Sequence, residues 1–239
     1  MKKFIFILIT GLGYIHGGYA QTNSELQKHY EAYYTEMRKQ SDISGIINAL
    51  THLNVLSPSI ERKDTLAYVY ANNNQHLQAL NTIGIEKNAT DSDIAVEVKA
   101  ISLNAMKQPK LAIGHFEELF KRDANPAVAY ELAELNLQTQ NLAEVDKYVD
   151  YGLANSTDDM KRAFYEQQNP YEVPLKSAFM YLNAISVYNK DKKANIDMAV
   201  DILDAALKTA PNFNLIQISK NELLRQKQVL QSQADQPKQ

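Results

Sequence analysis

The sequence predicts an all-α protein: a solenoid of about five helix–turn–helix repeats, closed by a C-terminal capping helix. Three observations carry the prediction. A figure of small and apolar residues recurs every 33 residues along most of the chain. The composition favours helix, being rich in Ala, Leu, Gln, Glu and Lys, and after residue 20 glycine occurs only at 45, 84, 114 and 152. Strictly alternating runs of β-branched residues are missing, so no sheet is expected.

The first element is not part of the fold. Lys2 and Lys3 open the chain, an apolar run from Phe4 to Leu12 follows, and Gly18-Tyr19-Ala20 offers small residues before a cut. This is the three-part build of a secretory signal peptide over residues 1–20, cleaved after Ala20. The run is short against the roughly 20 residues a membrane span needs. An uncleaved anchor is the alternative. The expected location is periplasmic or secreted. Without cysteine the chain has no lipid-anchor thiol, and it must be stable without disulfides. Taking Lys2 and Lys3 from the 25 Lys+Arg leaves 23 against 28 Asp+Glu, too acidic for nucleic acid or an anionic membrane face. No later stretch approaches a membrane span.

The clearest repeat is the last. Ala199, Leu203 and Ala206-Leu207 fall four and three apart, hence on one helix face, and Pro211 ends the helix. Ala112-Phe116-Leu119, Ala79-Ile83, Ile46-Leu50-Leu53 and Val145-Val149-Gly152 repeat the figure, so that 46, 79, 112 and 145 form an even series. Twelve residues before these anchors stand Tyr34, Ala67, Ala100 and Ala133, and nine before them Met37, Tyr70, Leu103 and Asn136. A small residue lets two helices approach, and a large one beside it fills the gap. In the last repeat the pair is Ala184 and Val187, with a longer turn from Asn189 to Asn195. Asn125-Pro126, Gln108-Pro109, Ser41-Asp42 and Asp91-Ser92-Asp93 read as helix starts. Asn72-Asn73-Asn74 and Gln138 to Asn141 read as polar turns inside hairpins.

On these residues the chain resembles the tetratricopeptide repeat, a helix–turn–helix unit of roughly 34 residues. The quoted matches are Leu66-Ala67-x-x-Tyr70 with Ala79-x-x-x-Ile83, and Ala199-x-x-x-Leu203-x-x-Ala206-Leu207-x-x-x-Pro211. The repeat domain spans 24–211, with repeats at about 24–58, 60–91, 93–124, 126–157 and 177–211. Several positions depart from the pattern. Tyr34 replaces a small residue, Val145 and Gly152 replace alanines, and Lys99 and Glu86 stand where apolar residues are usual.

From Val145 to Ala199 is 54 residues, about 21 more than one period, and the excess lies in an insert at about 155–176. Pro170 and Pro174 favour extended backbone there. Phe164, Tyr165 and Tyr171 are either anchors for a partner or the packed aromatics of a short extra helix. A capping helix is expected over 212–232, with Leu215, Ile218, Leu223, Leu224 and Leu230 as its apolar stripe, and a flexible tail over 233–239.

Chemistry is not expected. His29, His52, His76 and His115 stand apart, without metal-ligand spacing, and no phosphate-loop, dinucleotide or nucleophile-elbow motif occurs. Neighbouring carboxylates such as Glu117-Glu118 and Asp158-Asp159 cannot face one another across a site. No catalytic residue, cofactor or metal is therefore assigned. The resemblance implies instead that first helices line a concave groove for a protein or peptide. Mapped by offset, its candidate lining is Arg38, Tyr68, Asn72, Asn104, Tyr130, Glu134, Gln138, Tyr181, Tyr188 and Asn189. The family's clamp for a C-terminal carboxylate is absent, because its places hold Glu31, Thr35, Thr65 and Ile94. The leading expectation is an exported scaffold or adaptor for a protein partner in the bacterial cell envelope. A glycan-associated binding protein is the alternative, since tyrosines beside amides also suit sugars. An enzyme using the 155–176 insert ranks third.

Overall fold

Small buried residues at a 33-residue period draw successive helices together, and the computed structural model shows the result for residues 22–234. The expected signal peptide lies outside the described residues, as does the chain beyond Ala234. The described residues form eleven helices, the first ten in five packed consecutive pairs, the α-solenoid class that the spacing predicts. The chain divides at Ser59–Ile60 into two compact units.

The first unit is one hairpin, α1 (Asn23–Gln40) and α2 (Ile43–Leu56). Thr22 and Glu25 form a reciprocal capping box at the start of α1. Asp42 caps α2 by accepting the Gly45 N–H at 3.0 Å. α2 buries Ile46, Ala49, Leu50 and Leu53, whereas α1 buries nothing fully. Tyr30 of α1 stacks on His52 of α2 at 4.3 Å.

The second unit pairs α3 (Ile60–Asn72) with α4 (His76–Ile83), α5 (Asp93–Ala105) with α6 (Pro109–Arg122) and α7 (Pro126–Gln138) with α8 (Leu142–Asn155). It continues with α9 (Leu175–Lys190), α10 (Ile196–Thr209) and α11 (Asn214–Ala234). Ala67, Ala79, Ala100, Ala112, Ala133, Val145, Ala184 and Ala199 are all fully buried. Their small side chains bring the helices close enough for Leu103, Phe116, Val149 and Leu203 to fill the space between. Asn136, polar at a large-residue place, is satisfied internally: its amide donates to the Leu132 carbonyl at 2.8 Å and its oxygen accepts from Asn141 at 3.1 Å.

The hairpin turns also repeat. Ser41, Asn74, Lys107 and Gln140, 33 residues apart, adopt the left-handed conformation with φ of 55 to 61°. In each, the next N–H reaches back five residues, to Met37, Tyr70, Leu103 and Asn136 respectively, and closes the first helix. None of the four is glycine, so each turn carries a steric cost that the repeat geometry imposes.

The departures from the motif have local causes. A Cβ at Gly152 would collide with the ring of Phe179, a fully buried residue of α9. Lys99 is fully buried, with its ammonium donating to Asp91 at 2.6 Å and to the Glu86 carbonyl at 2.8 Å. Burial opposes ionisation of Asp91, but the Lys99 contact and the Asn88 N–H outweigh it and hold the carboxyl below its ordinary range. His115, also buried, donates from Nε2 to the Ile85 carbonyl at 2.9 Å, and burial lowers its pKa below the ordinary histidine value. Two second-helix and first-helix positions thus tie down the loop between α4 and α5.

Two expectations are corrected. The insert is not a short extra helix, and it holds strands although no sheet is expected from the sequence. β1 (Lys161–Phe164) and β2 (Tyr171–Pro174) form an antiparallel hairpin, in which Arg162 faces Val173 and Phe164 faces Tyr171. Lys161-Arg162-Ala163-Phe164 places two polar residues before two apolar ones, so it lacks the alternation that marks a strand in sequence. The capping helix buries Ile216 and Leu223 behind the buried Phe213, while Ile218 and Leu224, expected in the stripe, are exposed. Residues 216 and 223 are seven apart and share one face, and 218 lies outside it. α11 is further held by ion pairs from Lys220 to Asp204 and from Lys227 to Asp197 of α10.

Candidate functional site

The first helices α5, α7 and α9 carry a face on which apolar and charged side chains meet. At its centre is α7, started by Pro126 after the Asn125 cap, whose side chain accepts the Val128 N–H at 3.0 Å. α7 presents Tyr130, Glu131 and Glu134 within one turn and a half. The insert hairpin reaches back over them. The Arg162 guanidinium lies 3.9 Å from the centre of the Tyr130 ring and donates to Glu131 at 2.8 Å and to Glu134 at 3.3 Å. Burial raises the Glu134 pKa, and the charge of Arg162 only partly counters it. Burial likewise pushes the Tyr130 hydroxyl upward, and that hydroxyl has no hydrogen-bond partner among the described residues.

The candidate groove residues therefore divide. Tyr130 is 0% exposed and Phe164 is buried, so neither lines an open surface. Tyr130 is core because Arg162 covers it and Phe179 packs edge-on at 5.4 Å. Phe164 is core because it stacks on Tyr171 and meets Phe213 at 4.7 Å. Tyr181 is half-buried against the same Phe213 at 5.6 Å, and the Tyr188 hydroxyl is taken by Gln226 of α11. Asn189 is half-buried beside it. Tyr171 is half-buried, with burial and its hydrogen bond to Glu166 pushing its pKa up to about 12. Tyr165 alone of the insert aromatics points outward, 74% exposed. On α3, Tyr68 and Asn72 are exposed one turn apart, and Gln138 is exposed at the end of α7. Arg38 belongs to the first unit, where it lies 5.7 Å from the Tyr34 ring.

The open part of the face is a cleft of about 580 Å³ between α5 and α7. Its apolar lining is Ile101, Phe116, Leu119 and Val128, and Asn104 stands on its wall. Carboxylates surround this lining: Asp93 and Glu97 from α5, Asp123 from the loop after α6, and Glu131 from α7. Arg122 is the cation of the cleft, and it is engaged with Asp93 and Glu118, both at 2.9 Å. Sequence reading missed this cleft. Glu97 and Ile101 stand one period before Tyr130 and Glu134, so the same offset leads to them. Arg162 carried no signal, because nothing in sequence shows where an insert folds back.

No family model and no curated protein sequence matches the chain. Among solved structures it is similar to a tetratricopeptide repeat protein from Parabacteroides merdae, with a TM-score of 0.61 and 12% identity. That alignment covers 82% of this chain and 72% of the other. A TPR repeats protein from Bacteroides fragilis aligns at 14% identity over 84% of this chain and 98% of its own, with a TM-score of 0.42. The first likeness shows the fold, stacked helix hairpins of the tetratricopeptide type. Among the described residues no helix is long and apolar enough to cross a membrane.

Proposed function

We propose that this chain is an exported repeat scaffold that binds a protein or peptide partner in the bacterial cell envelope. The observation that carries the reading is the α5–α7 cleft. Ile101, 42% exposed, stands open inside a polar rim, with Leu119 and Val128 half-buried beside it and the buried Phe116 beneath. Surface of this kind marks interaction sites. Export is read from Lys2, Lys3, the apolar run from Phe4 to Leu12 and the small residues of Gly18-Tyr19-Ala20. The carbohydrate alternative rested on tyrosines beside amides. With Tyr130 buried and Tyr188 bonded within the chain, Tyr68 with Asn72 is the pair left exposed, which favours the protein reading.

The test is made with the full chain in a Gram-negative host. A photo-crosslinking amino acid at Ile101 should trap an envelope protein, and the purified chain should begin at Gln21. Retention of residues 1–20 in the cytoplasmic fraction, or the absence of an adduct at Ile101 beside binding on a glycan array, overturns the reading.

A further inference from the structure

Glu131 faces two ways. On one side it accepts from the chain's own Arg162, and on the other it lines the α5–α7 cleft. The hairpin thus displays what this helix face holds: a guanidinium lying on a phenol ring with two carboxylates at its edge. The cleft continues the same chemistry toward α5 without its cation. Among the described residues neither Glu97 nor Asp123 pairs with a cationic side chain, and Arg122 is already shared between Asp93 and Glu118. A purely apolar ligand settling on Ile101, Phe116 and Val128 would strip water from the carboxylates around it and return nothing. An acidic ligand would add repulsion. A ligand whose positive charge sits beside an apolar group satisfies both parts of the cleft at once.

We infer that the α5–α7 cleft takes an extended peptide segment in which an arginine or lysine stands next to a large aliphatic or aromatic residue. This rests on the reading of the chain as a protein-binding scaffold, and it names the partner's chemistry. The apolar side chain enters between Ile101 and Phe116, and the cation meets Glu97 and the outer side of Glu131. The segment binds alongside the insert hairpin, which keeps Tyr130 and Glu134 closed to it.

The test is selection of a displayed library of random peptides on the full chain, followed by fluorescence anisotropy of the enriched peptides. Enriched sequences should pair Arg or Lys with Leu, Ile, Phe or Tyr. Glu97→Lys, at an exposed position that keeps its helical signal, should weaken them on the order of tenfold, the scale of a close charge pair reversed. Ile101→Glu should do the same through the apolar contact. Enrichment of acidic or uncharged sequences, no enrichment, or binding indifferent to Glu97→Lys overturns the inference. Crosslinking in cells separates it from the reading beneath it. An envelope partner trapped equally by wild type and by Glu97→Lys leaves the scaffold standing and removes the basic-peptide cleft. Basic peptides selected in solution with no partner trapped in cells do the reverse.

Discussion

Gly152→Ala tests whether the repeat pattern breaks at this position because of Phe179. The helical alternative to glycine is worth about 1 kcal/mol in favour of alanine. Against it stands overpacking. The new methyl would overlap the Phe179 ring, which is fully buried and meets Tyr130 at 5.4 Å, so it has no open side to move toward. Overpacking a closed core costs about 1–3 kcal/mol, so the net effect is a loss of about 1 kcal/mol. Gly114→Ala supplies the control. Gly114 is likewise inside a second helix, but its added methyl would meet only the end of the Lys87 side chain, 2.6 Å away and free to swing. There the propensity gain stands nearly alone, so this variant should be more stable by up to about 1 kcal/mol. Urea-unfolding midpoints of the two variants should move in opposite directions. Adding Phe179→Leu to Gly152→Ala should cost less than Phe179→Leu costs in the wild-type chain, since the smaller side chain makes room. Equal shifts for the two glycine variants would refute the reasoning.

Three further outcomes are expected. Lys107→Gly, relieving a left-handed residue at φ 60°, should stabilise by about 0.5–1 kcal/mol by urea unfolding, whereas Lys107→Val should destabilise. Lys99→Met should cost about 3 kcal/mol by leaving Asp91 and the Glu86 carbonyl without their donor, and adding Asp91→Asn should restore part of it. The two perturbed carboxylates should give opposite pH signs in thermal unfolding. Asp91, held below 3.8, stabilises the fold above that value, so wild type should lose its advantage over Asp91→Asn as pH falls through the depressed pKa. Glu134, raised above 4.5, is costly once ionised, so Glu134→Gln should gain on wild type as pH rises from 4.5 to neutrality.

What the sequence made legible is what the period controls. Spacing alone puts Ala67, Ala100, Ala112 and Ala199 in the core, and each is fully buried. Asn125 and Asp42 read as helix starts, and each accepts the N–H that a cap requires. A position seen in several registers is averaged over its neighbours, so its role survives the loss of any one motif. The left-handed turns show the limit of local reading. With Ser, Asn, Lys and Gln at 41, 74, 107 and 140, residue type hides a conformation that the 33-residue spacing makes plain.

The rest was hidden because it depends on contacts outside the period. Lys99 and Glu86 look like errors in a repeat until Asp91 and the loop backbone are placed around them. A buried ammonium needs its acceptors supplied by a particular loop, and spacing does not carry that. The insert is the larger case. Its arginine lands on α7, 31 residues upstream of it at Glu131, and turns a tyrosine expected on an open groove into core. Because Arg162 uses one side of Glu131 and leaves the other to the cleft, the same insert that closes half of the first-helix face leaves excess negative charge on the half that stays open. Arg162 thus sets the charge on the open surface as well as covering Tyr130. Removing it would expose that ring and release two carboxylates, so the insert and the cleft have to be read as one surface.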